Sequence, residues 1–217
     1  MERDPQTQSQ QAYAEIRRRI LILEIRPEER LKEEEWGRKL NIGRLAVREA
    51  LTRLHGEALL TRGAKGGFFV APMTPADVHE IREIREVLEV AAVRLAQGRV
   101  TSAQLREMES ACDDFAYMVK KGYHVGACEA DRRFHHLIVE ASHNTKLLRA
   151  YDLCHIPLFH VRLGQLKEYM DDYADTEREH REIAASFKNG AEEKTIQLLR
   201  AHFARGERAV LKSAGKI

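Results

Sequence analysis

Residues 43–54 have the sequence GRLAVREALTRL, and this stretch decides how the first third of the chain is interpreted. On a helical wheel of about 100° per residue, its apolar side chains fall within an arc of roughly 140°. These side chains are Ala46, Val47, Ala50, Leu51 and Leu54. The other side of the wheel is polar and mostly basic, with Arg44, Arg48, Thr52 and Arg53. The pattern predicts a short amphipathic helix whose basic outer face suits the major groove of DNA.

The residues before this stretch predict two further helices. Residues 10–23 carry apolar side chains at helical spacing, and Pro27 ends that periodicity before a short connector at residues 28–31. Residues 33–40 begin with acidic side chains, which the helix dipole favours at an N-terminus, and then place Trp36 and Leu40 four residues apart for packing. Residues 41–43 interrupt the helical pattern. Two helices joined by a short turn, with the second one basic, are typical of a helix-turn-helix.

Two β-prone segments follow, at residues 59–62 and 67–70. Glycines at both ends of the loop between them suit a β-hairpin, and Arg62 and Lys65 at its tip suit contact with DNA phosphates or the minor groove. We therefore predict a winged helix-turn-helix domain over residues 1–72. The predicted DNA-binding residues are Arg44, Leu45, Arg48, Thr52, Arg62, Lys65 and Gly66.

The charge distribution supports a polyanionic partner for this part of the chain. Residues 36–70 hold seven Lys or Arg and two Glu, an excess of five, although the formal net charge of all 217 residues is only +2. A local surplus of this kind is typical of a surface that binds nucleic acid.

The remaining composition argues against other classes of protein. Three widely spaced cysteines, Cys112, Cys128 and Cys154, favour neither a disulfide framework nor a cysteine zinc motif. The N-terminal residues lack the apolar core of a signal peptide, and no apolar run is long enough to cross a bilayer. We expect a cytoplasmic protein with no membrane role.

From residue 74 onward the pattern is helical almost without interruption. We predict helices near residues 75–97, 102–121, 124–142, 145–169, 173–189 and 191–213, with a kink at Pro157 in the fourth. Few candidate strands exist here, so residues 73–217 should form an antiparallel all-α bundle. The predicted fold class is therefore mainly α, a winged helix-turn-helix followed by a helical bundle.

Four residues of this second region suggest a metal site. Asp131 and His135 are four residues apart and share a helix face with apolar neighbours, while His180 and His202 lie on apolar faces of two later helices. One carboxylate and three imidazoles suit zinc, with nickel or manganese as alternatives. The alternative interpretation is that each histidine is a core residue hydrogen-bonded to its neighbours.

Several spaced motifs together resemble a known family. In the first region they are Arg44-x-x-Val47-Arg48-Glu49-Ala50-Leu51-x-x-Leu54 and Gly67-x-Phe69-Val70. In the second they are Arg85-x-x-Leu88-Glu89-x-x-Ala92-x-x-Leu95-Ala96, Asp131-x-x-Phe134-His135, Glu179-His180-x-x-Ile183 and the late His202. The first region resembles the GntR family of bacterial transcription regulators, and the second resembles the FCD effector domain of its FadR subfamily.

The resemblance implies more than the residues alone do. It implies metal ligands at Asp131, His135, His180 and His202, a small organic acid as effector, and no enzymatic activity. We expect Arg85 to bind the carboxylate of that effector, since a guanidinium reads carboxylates bidentately, although a helix-supporting pair with Glu89 explains Arg85 equally well. We also expect a homodimer on a palindromic operator, with half-sites about 34 Å apart.

Two other functions stay open on the sequence alone, a metalloenzyme acting on a small carboxylate and a regulator whose metal is purely structural. The recognition helix also departs from its relatives, because Gly43, Leu45 and Ala46 stand where small hydroxyl residues and proline are usual. Leu45 lies within the polar arc, so we expect it to meet a thymine methyl group or a neighbouring chain surface.

Overall fold

The computed structural model describes residues 7–21, 24–72, 74–154 and 170–214. The chain divides into two compact units, Met1–Met73 and Thr74–Ile217. We call them the N-terminal and C-terminal units and describe each by itself.

Three helices form the N-terminal unit, α1 (Gln8–Leu21), α2 (Glu33–Leu40) and α3 (Arg44–Gly56). The predicted apolar face of α3 is buried at four of its five positions, Val47, Ala50, Leu51 and Leu54. These side chains pack with the core residues Ile16 of α1 and Trp36 of α2. Asn41 ends α2 in the left-handed conformation, with φ of 54°, and so turns the chain sharply into α3.

A three-stranded antiparallel sheet completes this unit, with strands β1 (Arg30–Leu31), β2 (Leu60–Arg62) and β3 (Phe68–Val70) in the order β1-β3-β2. The predicted hairpin is β2 and β3. The prediction of a plain connector at residues 28–31 was wrong, because Arg30 and Leu31 pair with Phe69 and Phe68. Leu31 is buried in the core while Arg30 is exposed, an alternation too short to recognise in two residues.

The C-terminal unit contains six described helices, α4 (Pro75–Ala96), α5 (Ser102–Lys120), α6 (His124–Glu140), α7 (Thr145–Leu153), α8 (Met170–Lys188) and α9 (Glu192–Ala214). The mainly helical fold class is confirmed. Thr74 and Thr101 begin α4 and α5 with capping boxes, closed by Asp77 and Gln104. The predicted helix at residues 145–169 is described only as far as Leu153, and the kink at Pro157 lies outside the described residues.

One core connects these helices. Apolar side chains of α4, α5, α6, α8 and α9 pack in a single cluster that includes Val93, Met108, Phe134, Ile183 and Leu199. The polar residues of the predicted metal site lie within this buried layer. Among the described helices, none is long and apolar enough to cross a membrane.

Candidate nucleic-acid interface and metal centre

The outer face of α3 carries four of the predicted DNA-binding residues, and all four are exposed. Burial of the inner face against α1 and α2 leaves Arg44, Leu45, Arg48 and Thr52 toward solvent. Leu45 is 67% exposed, as its place in the polar arc predicts. An exposed leucine between two arginines is unusual for a water-facing helix and offers an apolar contact to a partner.

Both arginines of this face are bound to one carboxylate of the preceding helix. Glu33 accepts hydrogen bonds from Arg44 Nε at 2.8 Å and from Arg48 Nε and Nη2 at 2.8 and 2.9 Å. Hydrogen bonds from Arg48 lower the pKa of Glu33 to about 2, with Arg44 adding to the effect and burial opposing it. Glu33 was not among the predicted DNA-binding residues, because the helix dipole alone explains an acid in the first turn of α2.

The hairpin places the remaining three predicted residues at its tip. Arg62 is exposed and its guanidinium lies 4.9 Å from the centre of the Phe68 ring. Lys65 and Gly66 are exposed in the turn, where Gly66 has φ of 81° and so occupies a conformation that other residues rarely adopt. The wing thus presents two cations and a turn whose backbone lies open to a ligand.

In the C-terminal unit, the structure brings the four predicted metal-binding side chains together. Asp131 and His135 come from α6, His180 from α8 and His202 from α9, and one ligand atom of each lies within 4.8 Å of all the others. All four residues are buried. Asp131 Oδ1 lies 3.3 Å from His180 Nε2 and 3.8 Å from His135 Nε2. These separations fit four donors that share one ion.

Two further carboxylates determine which nitrogen of each imidazole faces the centre. His135 Nδ1 lies 2.7 Å from Glu89 Oε2, and His202 Nδ1 lies 2.7 Å from Glu179 Oε2. Each Nδ1 therefore carries a proton and donates it, because an ionised carboxylate can only accept. The Nε2 atoms of both rings are left with their lone pairs toward the centre.

These two Nε2 atoms lie only 3.2 Å apart. Two lone pairs at that distance repel each other unless a positive charge, either a proton or a metal ion, lies between them. Burial lowers the pKa of His202 to about 3, so this imidazole is neutral near pH 7 and its lone pair is available to a metal.

His180 is the third imidazole of the centre. It is fully buried, its Nδ1 has no hydrogen-bond partner among the described residues, and its Nε2 lies 3.3 Å from Asp131 Oδ1. Its ring stacks on Phe134 with the centroids 4.3 Å apart, and burial lowers its pKa while Asp131 opposes that effect. A neutral imidazole whose Nε2 faces a carboxylate at this distance can share a metal ion with it.

The carboxylates behind the histidines are themselves held by donors that are buried or partly buried. Glu89 accepts hydrogen bonds from the Tyr151 hydroxyl at 2.8 Å and from Arg85 Nε at 3.2 Å. Although burial acts to raise the pKa of Glu89, His135 and Arg85 lower it, so the side chain is ionised. Glu179 is bound in the same way by Arg205, through Nε at 2.7 Å and Nη2 at 2.9 Å.

None of these supporting residues was predicted from the sequence to act at the metal site. Glu89 was considered only as the helix partner of Arg85, and Glu179 only as part of a motif. The sequence did contain one indication that Glu89 is buried. It precedes Ala92 by three residues and Val93 by four, so it lies on the apolar face of α4. Tyr151 and Arg205 had no such signal.

Arg85 lies at the edge of the centre rather than inside it. Its side chain is 12% exposed, and its guanidinium lies 4.7 Å from the centre of the Phe203 ring. It lines a cleft of about 40 Å³ between α4 and α9, together with His202 and Arg205. Arg85 therefore pairs with Glu89 and also borders a cleft that reaches His202, and its binding of an effector stays a prediction.

Two protein families match this chain. The family described as "Bacterial regulatory proteins, gntR family" matches residues 8–70, and the FCD domain family matches residues 80–205. The two matches fall in the N-terminal and C-terminal units respectively.

Relatives and solved structures agree with these matches. The HTH-type transcriptional regulator YdhC of Bacillus subtilis (strain 168) is 29% identical over 200 residues, covering 89% of this chain and 86% of that protein. The Nta operon transcriptional regulator of Aminobacter aminovorans is 35% identical over 127 residues, covering 57% and 59%. The structure of E. coli McbR/YncC has a TM-score of 0.82 at 20% identity, covering 97% of this chain and 100% of that one. The metal-free FCD domain of TM0439 covers 68% of this chain and 100% of its own, with a TM-score of 0.54 at 22% identity.

Proposed function

This chain belongs to the gntR family of bacterial regulatory proteins and carries an FCD domain, and it is a DNA-binding transcription regulator rather than an enzyme; we propose that a divalent metal ion and a small organic acid, bound together in the C-terminal unit, set its affinity for an operator. The relatives that match are regulators of transcription as well.

The observation that carries the metal proposal is the meeting of His135 and His202. Their Nε2 atoms face each other at 3.2 Å while both Nδ1 atoms are occupied by carboxylates, which is an arrangement that a cation stabilises. Asp131 and His180 complete a set of one oxygen and three nitrogen donors, which suits zinc first and nickel or manganese next. All four come from this chain, so the site needs no partner subunit.

The effector proposal follows from the ligand count. Four protein donors leave two positions on an octahedral ion such as nickel or manganese, or one on a zinc ion that expands to five ligands, and carboxylate oxygens are suitable ligands there. A carboxylate entering by the cleft between α4 and α9 would pass Arg85, whose fork can bind it bidentately. We assign Arg85 as the effector-binding residue and a small carboxylate as the ligand class.

The DNA proposal assigns roles to the exposed residues of the N-terminal unit. Arg44 and Arg48 read base edges in the major groove, Leu45 contacts a thymine methyl group, and Thr52 contacts the backbone. The wing residues Arg62, Lys65 and Gly66 contact phosphates or the minor groove. A homodimer would present two such surfaces to a palindromic operator, and an effector acts only if its affinity differs between the two states of that dimer.

Thermal unfolding tests the metal and effector together. Protein stripped with a chelator is compared before and after addition of Zn²⁺, Ni²⁺ or Mn²⁺, each with and without a panel of small carboxylates. A metal at about 100 times its Kd adds roughly 2.7 kcal/mol, which corresponds to a rise in Tm of about 5–11 °C for a chain of this size. A carboxylate that binds at the metal should raise Tm further, but only in the metal-loaded protein.

Two variants of neighbouring residues sharpen this test. His135→Ala should abolish the metal-dependent rise, whereas His136→Ala should retain it, because His136 pairs with Asp152 and Glu140 outside the centre. A metal response with no carboxylate response would instead favour a purely structural metal. No metal response in the unsubstituted protein would overturn the proposal.

A further inference from the structure

We propose that Glu33 is a positioning residue for DNA recognition, which holds the guanidinium groups of Arg44 and Arg48 in place and thereby increases sequence selectivity. The proposal rests on the assignment of α3 as the helix that reads bases. It gives a function to a carboxylate that otherwise only reduces the positive charge of the DNA-facing surface.

The Glu33 carboxylate bridges two arginines of the neighbouring helix. One carboxylate of α2 accepts three hydrogen bonds from two side chains of α3, with Oε1 bound to Arg48 Nε and Oε2 shared by Arg48 Nη2 and Arg44 Nε. The Glu33 side chain is 19% exposed, whereas those of Arg44 and Arg48 are 66% and 52% exposed. The anchor is thus sheltered between the helices while the cations that it holds face outward.

The contact with Glu33 leaves the terminal ends of both guanidinium groups available to donate hydrogen bonds to DNA. Glu33 uses the Nε side of each arginine, so Nη1 of Arg48 and both terminal nitrogens of Arg44 are not engaged by it. An arginine reads guanine by donating two parallel hydrogen bonds to O6 and N7, which these ends can supply. The contact with Glu33 is therefore compatible with base reading.

Ordering the two arginines before DNA binds should affect the affinity for specific DNA more than the affinity for non-specific DNA. Immobilising a long side chain on binding costs about 0.5–1.5 kcal/mol, which is a factor of about 2 to 12 in Kd per side chain. If Glu33 has already ordered both arginines, its loss should weaken specific binding by roughly 5-fold to 150-fold. Non-specific binding uses charge and not orientation, so it should not weaken.

The opposing explanation is that Glu33 merely competes with DNA phosphates for the two arginines. The two explanations predict different results for the isosteric substitution Glu33→Gln, which removes the charge and one of the two acceptor oxygens. If Glu33 only competes with phosphates, its substitution should strengthen specific and non-specific binding by the same factor. If Glu33 positions the arginines, its substitution should strengthen non-specific binding but lower the ratio of specific to non-specific affinity.

The experiment measures that ratio for the full-length protein. The specific probe is a duplex selected by the unsubstituted protein from a randomised library, and the non-specific probe is a scrambled duplex of the same length and composition. Kd values are determined for both probes at several salt concentrations, for the unsubstituted protein, Glu33→Gln and Glu35→Gln. Glu35 is the matched control because it also pairs with a cation, Lys32 at 2.7 Å, but lies about 200° around α2 from Glu33.

We expect Glu33→Gln to lower the ratio at least 5-fold and Glu35→Gln to leave it unchanged within about 2-fold. Combining Glu33→Gln with Arg44→Ala should lower the ratio by less than the product of the single effects, because both act through the same side chain. A ratio unchanged in Glu33→Gln overturns the proposal, whether both affinities rise together or neither changes. If the library yields no preferred sequence at all, base reading by α3 fails instead, and Glu33 has nothing to position.

Discussion

The substitution Glu89→Gln tests whether a carboxylate behind His135 prepares the metal centre. Glu89 is fully buried and accepts three hydrogen bonds, one on Oε2 from His135 Nδ1 and two on Oε1 from Tyr151 and Arg85. Glutamine has the same shape but only one acceptor oxygen, and its NH₂ group can only donate. Whichever way the amide turns, a donor of the protein meets a donor of the amide.

The two orientations have different costs. An NH₂ group facing His135 weakens metal binding, because it favours the tautomer with its proton on Nε2, where the metal should bind. An NH₂ group facing Arg85 and Tyr151 lowers the stability of the fold, because it leaves a largely buried cation without its acceptor, and losing a hydrogen bond to a charged group costs about 1.5–3 kcal/mol. Replacing a partner behind a metal-bound histidine typically lowers metal affinity 10-fold to 100-fold, which is about 1.4–2.7 kcal/mol.

The assay is a competition titration of Zn²⁺ between the protein and a chromophoric chelator, combined with thermal unfolding of the metal-free variant. We expect a Kd raised 10-fold to 100-fold and a metal-free Tm lowered by roughly 3–12 °C. Glu86→Gln is the matched control on the same helix, because Glu86 pairs with Arg82 and Arg200 outside the centre. A Kd for Zn²⁺ within about 3-fold of the unsubstituted value in both Glu89→Gln and Glu86→Gln would contradict this role of Glu89.

Three further outcomes are expected. His180→Leu should remove most of the Zn²⁺-dependent rise in Tm, because it removes one nitrogen donor of the candidate site. A full Zn²⁺-dependent rise in this variant would contradict the assignment. In gel-shift titrations, Arg48→Ala should lower the affinity for the specific sequence by about 1–3 kcal/mol. Lys65→Ala should instead weaken binding to all sequences alike and reduce the slope of log K against log salt concentration by about one. An equal loss of selectivity in both variants would contradict the assigned roles. Because the pKa of Glu33 is held at about 2, the stability that its ion pairs contribute is present above pH 4.5 and is lost as the pH falls toward 2. Over that range, the free energy of unfolding of Glu33→Gln should therefore decrease less steeply than that of the unsubstituted protein.

Much of the architecture could be predicted because local periodicity and tertiary burial agree. Val47, Ala50, Leu51 and Leu54 form the apolar stripe of α3 on a helical wheel, and the same four are buried in the fold. Leu45 is the apolar residue that lies on the polar side of the wheel, and because that side of α3 faces solvent, Leu45 is exposed in the structure. Strand β1 has no such periodicity, since two residues form it, and only pairing with β3 reveals it.

The meeting of four side chains at the candidate metal site could be predicted from the sequence, but the hydrogen bonds that orient them could not. A spacing of four residues places Asp131 and His135 on one face of α6, and apolar neighbours turn His180 and His202 inward. Which nitrogen of each ring faces the centre depends on Glu89 and Glu179, which come from other helices and are 46 and 23 residues away from their partners. No local pattern encodes such a pairing.

The same division applies at the surface that we propose faces DNA. The basic face of α3 follows from the order of residues along one helix, because side-chain direction within a helix depends only on its regular geometry. That one carboxylate of α2 holds both arginines depends on how two helices pack, and therefore on the turn at residues 41–43 and the core beneath it. The sequence alone determined which side chains are present on each face. The tertiary structure decided which of them meet, since contacts between helices depend on packing over distances that no sequence period records.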